Sequence, residues 1–239
     1  MAPDGTTAAS VPCSVVVNAD DFGASIGINR GVVAAHRFGP VTSASLMVNM
    51  PTVGDAVARL AELPDLAVGI HVNLTNEGDA AVALHDVAAC RRELNRQLEA
   101  FHAILRRPPT HLDSHHNVHI HHPALTELFL EAGRELGVPV RSFSGIRYVS
   151  RFYGQWDGDT HAEQVTASSL LGIIDEELGD GPFELACHPG FYDPNFRSQY
   201  HRERELELQT LCSPAVMTGL ARRDIDLVSF ADLARRPRR

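Results

Sequence analysis

Continuous apolar runs and helical patterns alternate about seven times along this chain, and that alternation constrains its fold more than any other feature. The runs are short, rich in Val, Ile and Leu, and lack the polar-apolar alternation of a half-exposed strand. Such strands belong in a parallel sheet covered by helices. The pattern predicts strands over 13–18, 41–48, 66–74, 110–118, 138–143, 183–187 and 225–230. It predicts helices over 26–38, 53–63, 86–105, 123–136, 161–178 and 201–222, with residues 144–160 as a long aromatic- and Gly-rich loop. Gly39-Pro40, Pro64, Pro108-Pro109 and Gly137 stand where helices must stop.

The polar residues decide between an open sheet and a barrel. Asp20, Asp21, Asn49, His71, Asn73, the segment 113–119, Arg141 and His188 all fall at or just beyond the C-terminal ends of predicted strands. A barrel collects reactive groups on that rim, whereas an open doubly wound sheet gathers ligands at one switch point. The expected fold is therefore α/β, a distorted (β/α) barrel with about seven parallel strands. No composition break marks a linker, so residues 1–239 are expected to form one domain, with 1–10 and 234–239 as flexible tails.

A formal charge of −9 argues against nucleic acid or an anionic membrane as partner. The basic end, Arg235-Arg236-Pro237-Arg238-Arg239, is too short to reverse that balance. Residues 1–10 lack the basic and apolar segments of a secretory signal, and no apolar run approaches the ~18 residues of a membrane span. The cysteines Cys13, Cys90, Cys187 and Cys212 are scattered and form no Cys-x-x-Cys pair. They read as buried free thiols of a cytoplasmic protein rather than a disulfide framework or a thiolate zinc site.

Six of the 13 histidines fall between residues 110 and 123, with Asp113 among them. Imidazole is the commonest protein ligand for transition metals, so this density points to a metal or proton-transfer centre. Period-two alternation would put Asp113, His115, Asn117 and His119 on one side of the strand and His116 on the other. His115 is then the best ligand candidate and Asp113 the best group to orient an imidazole, while His121 and His122 read as surface residues. His71 and Asn73 share a face of an otherwise apolar strand. Asp20 and Asp21 close the first strand, and adjacent carboxylates on extended chain point in opposite directions. One could bind a metal while the other takes a proton. His188, stiffened by Pro189, suits a general acid. Arg141 could hold Asp20 or make a surface ion pair. One carboxylate and two imidazoles form a facial metal site that leaves room for water and substrate. Gly-x-Ser-x-Gly and P-loop signatures are absent, which disfavours a serine nucleophile or a phosphate-cradling loop.

The runs Asn18-Ala19-Asp20-Asp21-Phe22-Gly23, Val41-Thr42-Ser43-Ala44-Ser45-Leu46-Met47-Val48-Asn49, Gly69-Ile70-His71-Val72-Asn73-Leu74-Thr75, His111-Leu112-Asp113-Ser114-His115-His116-Asn117-Val118-His119 and Cys187-His188-Pro189-Gly190, in this order, resemble the YdjC-like carbohydrate deacetylases. That family includes chitooligosaccharide deacetylases and a hopanoid-biosynthesis-associated type. The resemblance implies hydrolytic removal of an N-acetyl group from an amino sugar. It implies one divalent metal, magnesium in descriptions of the family, held by Asp21, His71 and His115. Two imidazoles by themselves suit zinc better. It also implies Asp20 as base, with Asp21 the alternative, and His188 as acid, with Asp113, Asn73, His119 and Arg141 in support or on the substrate. Asn117 stands where many members carry a third consecutive histidine. The 75–90 connection lacks a longer aromatic insertion and leaves one side of the rim open. The partner that the resemblance implies is an acetylated amino sugar, and a homodimer is compatible with this reading. The competing functions are a metal-dependent phosphoesterase on a related barrel and a catalytically silent sugar- or metal-binding protein. The phosphoesterase reading lacks an early His-x-His pair, since His119 and His121 come late.

Overall fold

The computed structural model describes residues 13–76, 79–80, 82–179, 181–223 and 225–235. The strands are β1 (Cys13–Phe22), β2 (Ser43–Leu46), β3 (Ala67–Val72), β4 (Thr75–Asn76), β5 (Asp79–Ala80), β6 (Leu112–Ser114), β7 (Arg147–Val149), β8 (Gln155–Trp156), β9 (Asp159–Thr160), β10 (Phe183–Cys187) and β11 (Ile225–Leu227). The helices are α1 (Ile26–Phe38), α2 (Val53–Leu60), α3 (Val87–Leu105), α4 (Val118–His121), α5 (Pro123–Leu136), α6 (Ala167–Glu177), α7 (Arg202–Leu211), α8 (Pro214–Ala221) and α9 (Phe230–Arg235).

Seven strands form one parallel sheet in the order β6-β3-β2-β1-β10-β7, with β11 beside the start of β1. Helices cover it, giving the half-barrel form of a distorted (β/α) barrel. The strand cores are fully buried, as their apolar runs require: Val15, Val16, Val68, Ile70, Leu112, Phe183 and Leu185 are each 0 % exposed. Helix starts follow local chemistry. Ser25, Asp86, Thr166 and Ser213 each accept a backbone N–H as N-cap, and Pro123 and Pro214 open α5 and α8.

Three expectations are corrected. The predicted strand over 138–143 shrinks to a single bridge between Val140 and Leu112. Pro139 has no N–H to add to a ladder, and residues 141–143 turn, with Ser142 at φ 68°. The strand in that part of the sheet is β7, inside the segment expected to be loop. It is too short and too polar at Arg147 and Tyr148 to register as an apolar run. The seventh strand ends at Leu227, and Phe230 already opens α9, which includes Ala234 and Arg235 of the expected tail. The other tail residues, 1–10 and 236–239, lie outside the described ones. The cysteines are free, two buried and two half-buried, and no described helix is long and apolar enough to cross a membrane.

The inner face of the half-barrel is polar. Asn18 Nδ2 donates to Ser45 Oγ at 2.8 Å, and Ser45 Oγ donates to Asp113 Oδ2 at 2.6 Å. His111 Nε2 lies 2.9 Å from Ser45 Oγ, and its ring passes so close to Gly69 that a Cβ there would meet it at 2.4 Å. Phe230 stacks on His111 at 4.0 Å from the α9 end, and the polar chain runs from there toward the opposite rim.

Candidate metal and catalytic site

The rim site begins with a backbone irregularity. Between the pairs Ala19–Ala44 and Phe22–Leu46, β1 carries one residue more than β2, and Asp21 adopts φ 64°. A bulge interrupts the two-residue side-chain period, and a left-handed aspartate is a costly conformation that cooperates with it. Both carboxylates therefore reach the rim, each 3 % exposed, where regular extended chain would have sent them to opposite faces.

Asp21 Oδ1 lies 3.3 Å from His71 Nε2 and 3.1 Å from His115 Nδ1. His71 Nδ1 lies 2.7 Å from Asp113 Oδ1. A carboxylate only accepts, so Asp113 holds the proton on Nδ1 and turns Nε2 toward Asp21. Asp21 Oδ1 is buried and has no hydrogen-bond partner, with two ring nitrogens facing it. One orphaned carboxylate oxygen facing two imidazole nitrogens fits a divalent cation, and these three ligand atoms all lie within 4.8 Å of one another. Asp20, His71 and Asp113 are equally close. There, however, a guanidinium already supplies the positive charge.

That guanidinium is Arg141, 2 % exposed. It donates to Asp20 Oδ1 and Oδ2 at 2.7 and 2.8 Å and to Glu184 Oε1 at 2.9 and 2.6 Å. Its NH2 is also 2.9 Å from Asp113 Oδ2, and its plane lies over the Tyr148 ring at 4.7 Å. The surface-pair alternative for Arg141 is thus excluded. Burial works to raise the pKa of Asp20, but Arg141 overrides it and holds the carboxyl below its usual range. Burial wins at Glu184, which is pushed up to about 7 against the pull of Arg141.

His188 sits across from Asp20, Nε2 to Oδ2 at 3.9 Å. Glu207 on α7 accepts the His188 backbone N–H at 2.5 Å, and its other oxygen is 3.8 Å from His188 Nδ1. Burial opposes charging of this imidazole, yet the Glu207 carboxylate prevails and its pKa is raised. Tyr200 donates to the same Glu207 at 2.5 Å, and Tyr153 stacks on Tyr200 and meets the His188 ring edge-on.

A model of the YdjC-like protein family matches residues 14–222. The chain belongs to the YdjC-like family. It is 33 % identical to a carbohydrate deacetylase of Geobacillus stearothermophilus, over 93 % of this chain and 98 % of that protein. It is likewise 33 % identical to a chitooligosaccharide deacetylase of Enterobacter sp. (strain 638), over 92 % of this chain and 98 % of that one. Among solved structures, an Enterococcus faecalis V583 protein named for cellobiose-phosphate cleavage superposes with a TM-score of 0.82 at 24 % identity, covering 93 % of this chain and 99 % of that one. A family 4 carbohydrate esterase from Streptomyces lividans superposes at 0.53 with 13 % identity, covering 89 % of this chain and 90 % of that one, and shares the fold.

In this YdjC-like chain, Asp20, Asp21, His71, Asp113, His115, Arg141 and His188 come together as one cluster. His119 does not join them. The strand stops at Ser114, and His115–Asn117 forms a 3-10 turn with left-handed backbone at His116 and Asn117. The assumed alternation therefore ends before His119, which bonds Ser114 Oγ at 2.6 Å and stacks on Phe129 in the core. Burial lowers its pKa to about 4, so it is neutral. Asn73 braces the site from behind. Its backbone pairs with Gln97, and its Nδ2 reaches Asn49 Oδ1 at 3.4 Å. Asn117 accepts from Arg141 at 3.5 Å and donates to Tyr148 Oη at 3.0 Å. His121 and His122 are exposed.

Glu184, Tyr148, Arg204 and Glu207 escaped sequence reasoning. The usable signal was charge where a fold needs apolar surface. Glu184 interrupts a buried strand, and α7 buries Glu203, Arg204 and Glu207 on the face that should have carried hydrophobes. A cavity of about 460 Å³ opens over Asp21 and His115, walled by Met47, Met50 and Phe196. A neighbouring one of about 570 Å³ shares Phe196 and Arg197 and extends to Tyr192 and His201.

Proposed function

We propose that this protein is a metal-dependent carbohydrate deacetylase that hydrolyses the N-acetyl group of an amino sugar and releases acetate. Relatives at about one-third identity across nearly the whole chain carry deacetylase names. The single observation that carries the reading is the pairing of a facial Asp21, His71, His115 set with Asp20 and His188 on its margin. Asp21, His71 and His115 would hold the ion. When bound, a divalent ion supplies Lewis-acid polarisation of the acetamide carbonyl and lowers the pKa of a water. Asp20, kept ionised by Arg141, takes the proton of the attacking water as general base. His188, whose acid form Glu207 favours, gives its proton to the departing amine nitrogen. The short separation of Asp20 and His188 lets both groups serve one reacting centre. Asp113 fixes the His71 tautomer throughout. Four free thiols are in line with a cytoplasmic setting.

The two adjacent cavities, which share Phe196 and Arg197, favour a substrate larger than one sugar. Of the aromatic residues near the rim, Phe152 is 0 % exposed in the core and cannot meet a substrate. Tyr153 beside His188 and Tyr192 on the outer cavity remain available, at 36 % and 59 % exposure. Sugars stack C–H faces on such rings, and remote binding energy can be spent at the reacting centre. The test compares kcat/KM for acetate release from free N-acetylglucosamine, diacetylchitobiose and an aryl N-acetylglucosaminide, read by mass loss of one acetyl group. The two larger substrates should be processed better. Equal values would remove the extended-site part of the reading, and no acetyl loss from any of the three would remove the deacetylase reading.

A further inference from the structure

We propose that Arg204 is a positioning residue that confines Asp21 to a single ligand oxygen and so biases the metal site toward an imidazole-preferring ion such as zinc over a hard ion such as magnesium. The inference rests on the reading of Asp21, His71 and His115 as the ligand set. The two oxygens of Asp21 have separate assignments. Oδ2 accepts from Arg204 NH2 at 2.6 Å, and Oδ1 alone faces the two imidazoles. At that distance the pair is a charge-assisted hydrogen bond between groups 5 % and 4 % exposed. Arg204 therefore occupies one oxygen and offsets the charge of the only carboxylate in the ligand set.

The arginine is held in place by the fold. Its backbone carbonyl accepts the Gly190 N–H at 3.2 Å, and a Cβ on Gly190 would meet its stem at 3.2 Å. Its guanidinium also lies 5.6 Å over the Tyr200 ring. The segment that delivers His188 thus packs directly on the residue that restrains Asp21.

The chemistry follows from what each class of ion requires. Hard cations take several oxygens and favour unneutralised carboxylate charge. Zinc is satisfied by neutral imidazoles and one oxygen. With Oδ2 engaged and the Asp21 charge offset, two ring nitrogens and one oxygen remain, and a hard ion loses both things it would use.

The test measures dissociation constants for Zn²⁺ and Mg²⁺ on the full chain after chelator treatment, by titration calorimetry and competition with a chromophoric chelator. Arg204→Met should shrink the preference for zinc over magnesium by roughly 10–100-fold, the range seen when a group orienting a metal ligand is removed. Arg204→Lys, which keeps a cation near Oδ2, should recover part of that preference. In an Asp21→Asn background, Arg204→Met should change the preference by less than about twofold, because the coupling runs through Asp21. An Arg204→Met preference within about twofold of wild type overturns the proposal, as does an equal shift in the Asp21→Asn background. Wild-type zinc affinity in Asp21→Asn alone overturns the ligand reading, and this inference with it. Thermal melting of the metal-free variants reports folding, and Arg204→Lys carries the comparison if Arg204→Met does not fold.

Discussion

Asp20 and Asp21 differ by one backbone torsion and by their arginine. The left-handed Asp21 turns away from Arg141 and toward the imidazoles, and Asp20 stays under the Arg141 fork. That division predicts separable variants. Asp20→Asn should abolish turnover while metal content stays near wild type. Asp21→Asn or His115→Ala should lower metal affinity and turnover together. His188→Ala should retain metal and lose rate by roughly 10²–10⁴-fold, the range for a general acid. Metal analysis beside initial rates decides, and equal metal loss in all four would show the roles to be misassigned. A second residue-scale prediction concerns pH. His188 has its pKa raised above the ordinary value of 6.5, with Glu207 overcoming the opposing effect of burial. A raised pKa extends the acid form to higher pH than a free imidazole would allow, so kcat/KM should fall as pH climbs past that raised value. Glu207→Gln removes the largest interaction opposing burial and leaves only Asp20 and Asp21 to counter it, so the falling limb should move to lower pH. A limb that stays in place would remove Glu207 from the control of His188.

Elements show where reading the chain succeeds and where it cannot. Long apolar strands and capped helices were recoverable because burial and capping are local demands written in consecutive residues. The β7 strand was not, because three residues carry no period, and its place is set by pairing with β10. The region after Ser114 failed for the opposite reason. The two-residue period predicted through this segment stops at two left-handed residues, His116 and Asn117. Likewise, Asp21, His71 and His115 could be nominated from residue type, while Glu207 and Arg204 needed the packing of α7 against the His188 segment. That packing depends on α1 as well. A Cβ on Gly31 would stand 2.5 Å from the Gly190 Cα and 2.7 Å from the Pro189 carbonyl oxygen, both backbone atoms that cannot rotate aside. Gly31→Ala should therefore push α1 away from residues 189–190 and cost about 1–3 kcal/mol. For a domain of this size the expected loss is roughly 2–4 °C of Tm per kcal/mol. The same variant should lower kcat through His188 while sparing metal content. An unchanged Tm would show that the contact yields without cost.

Across the whole molecule, the half-barrel places a polar interior above an apolar base and opens it at one rim. The buried chain from His111 through Ser45 and Asp113 to His71 links the α9 end to the proposed ligands. Three carboxylates gather on Arg141, an arrangement that stability alone would not favour, since buried charge is costly even when paired. It is explained if the fold serves the rim chemistry. The most direct test of that claim is acetate release from diacetylchitobiose by protein stripped with chelator and then supplied again with a divalent ion. The account predicts release by the untreated protein, its loss on chelation and its return with the ion, in step with one bound metal per chain. Release undiminished by complete metal removal, or none from metal-loaded protein, would contradict it.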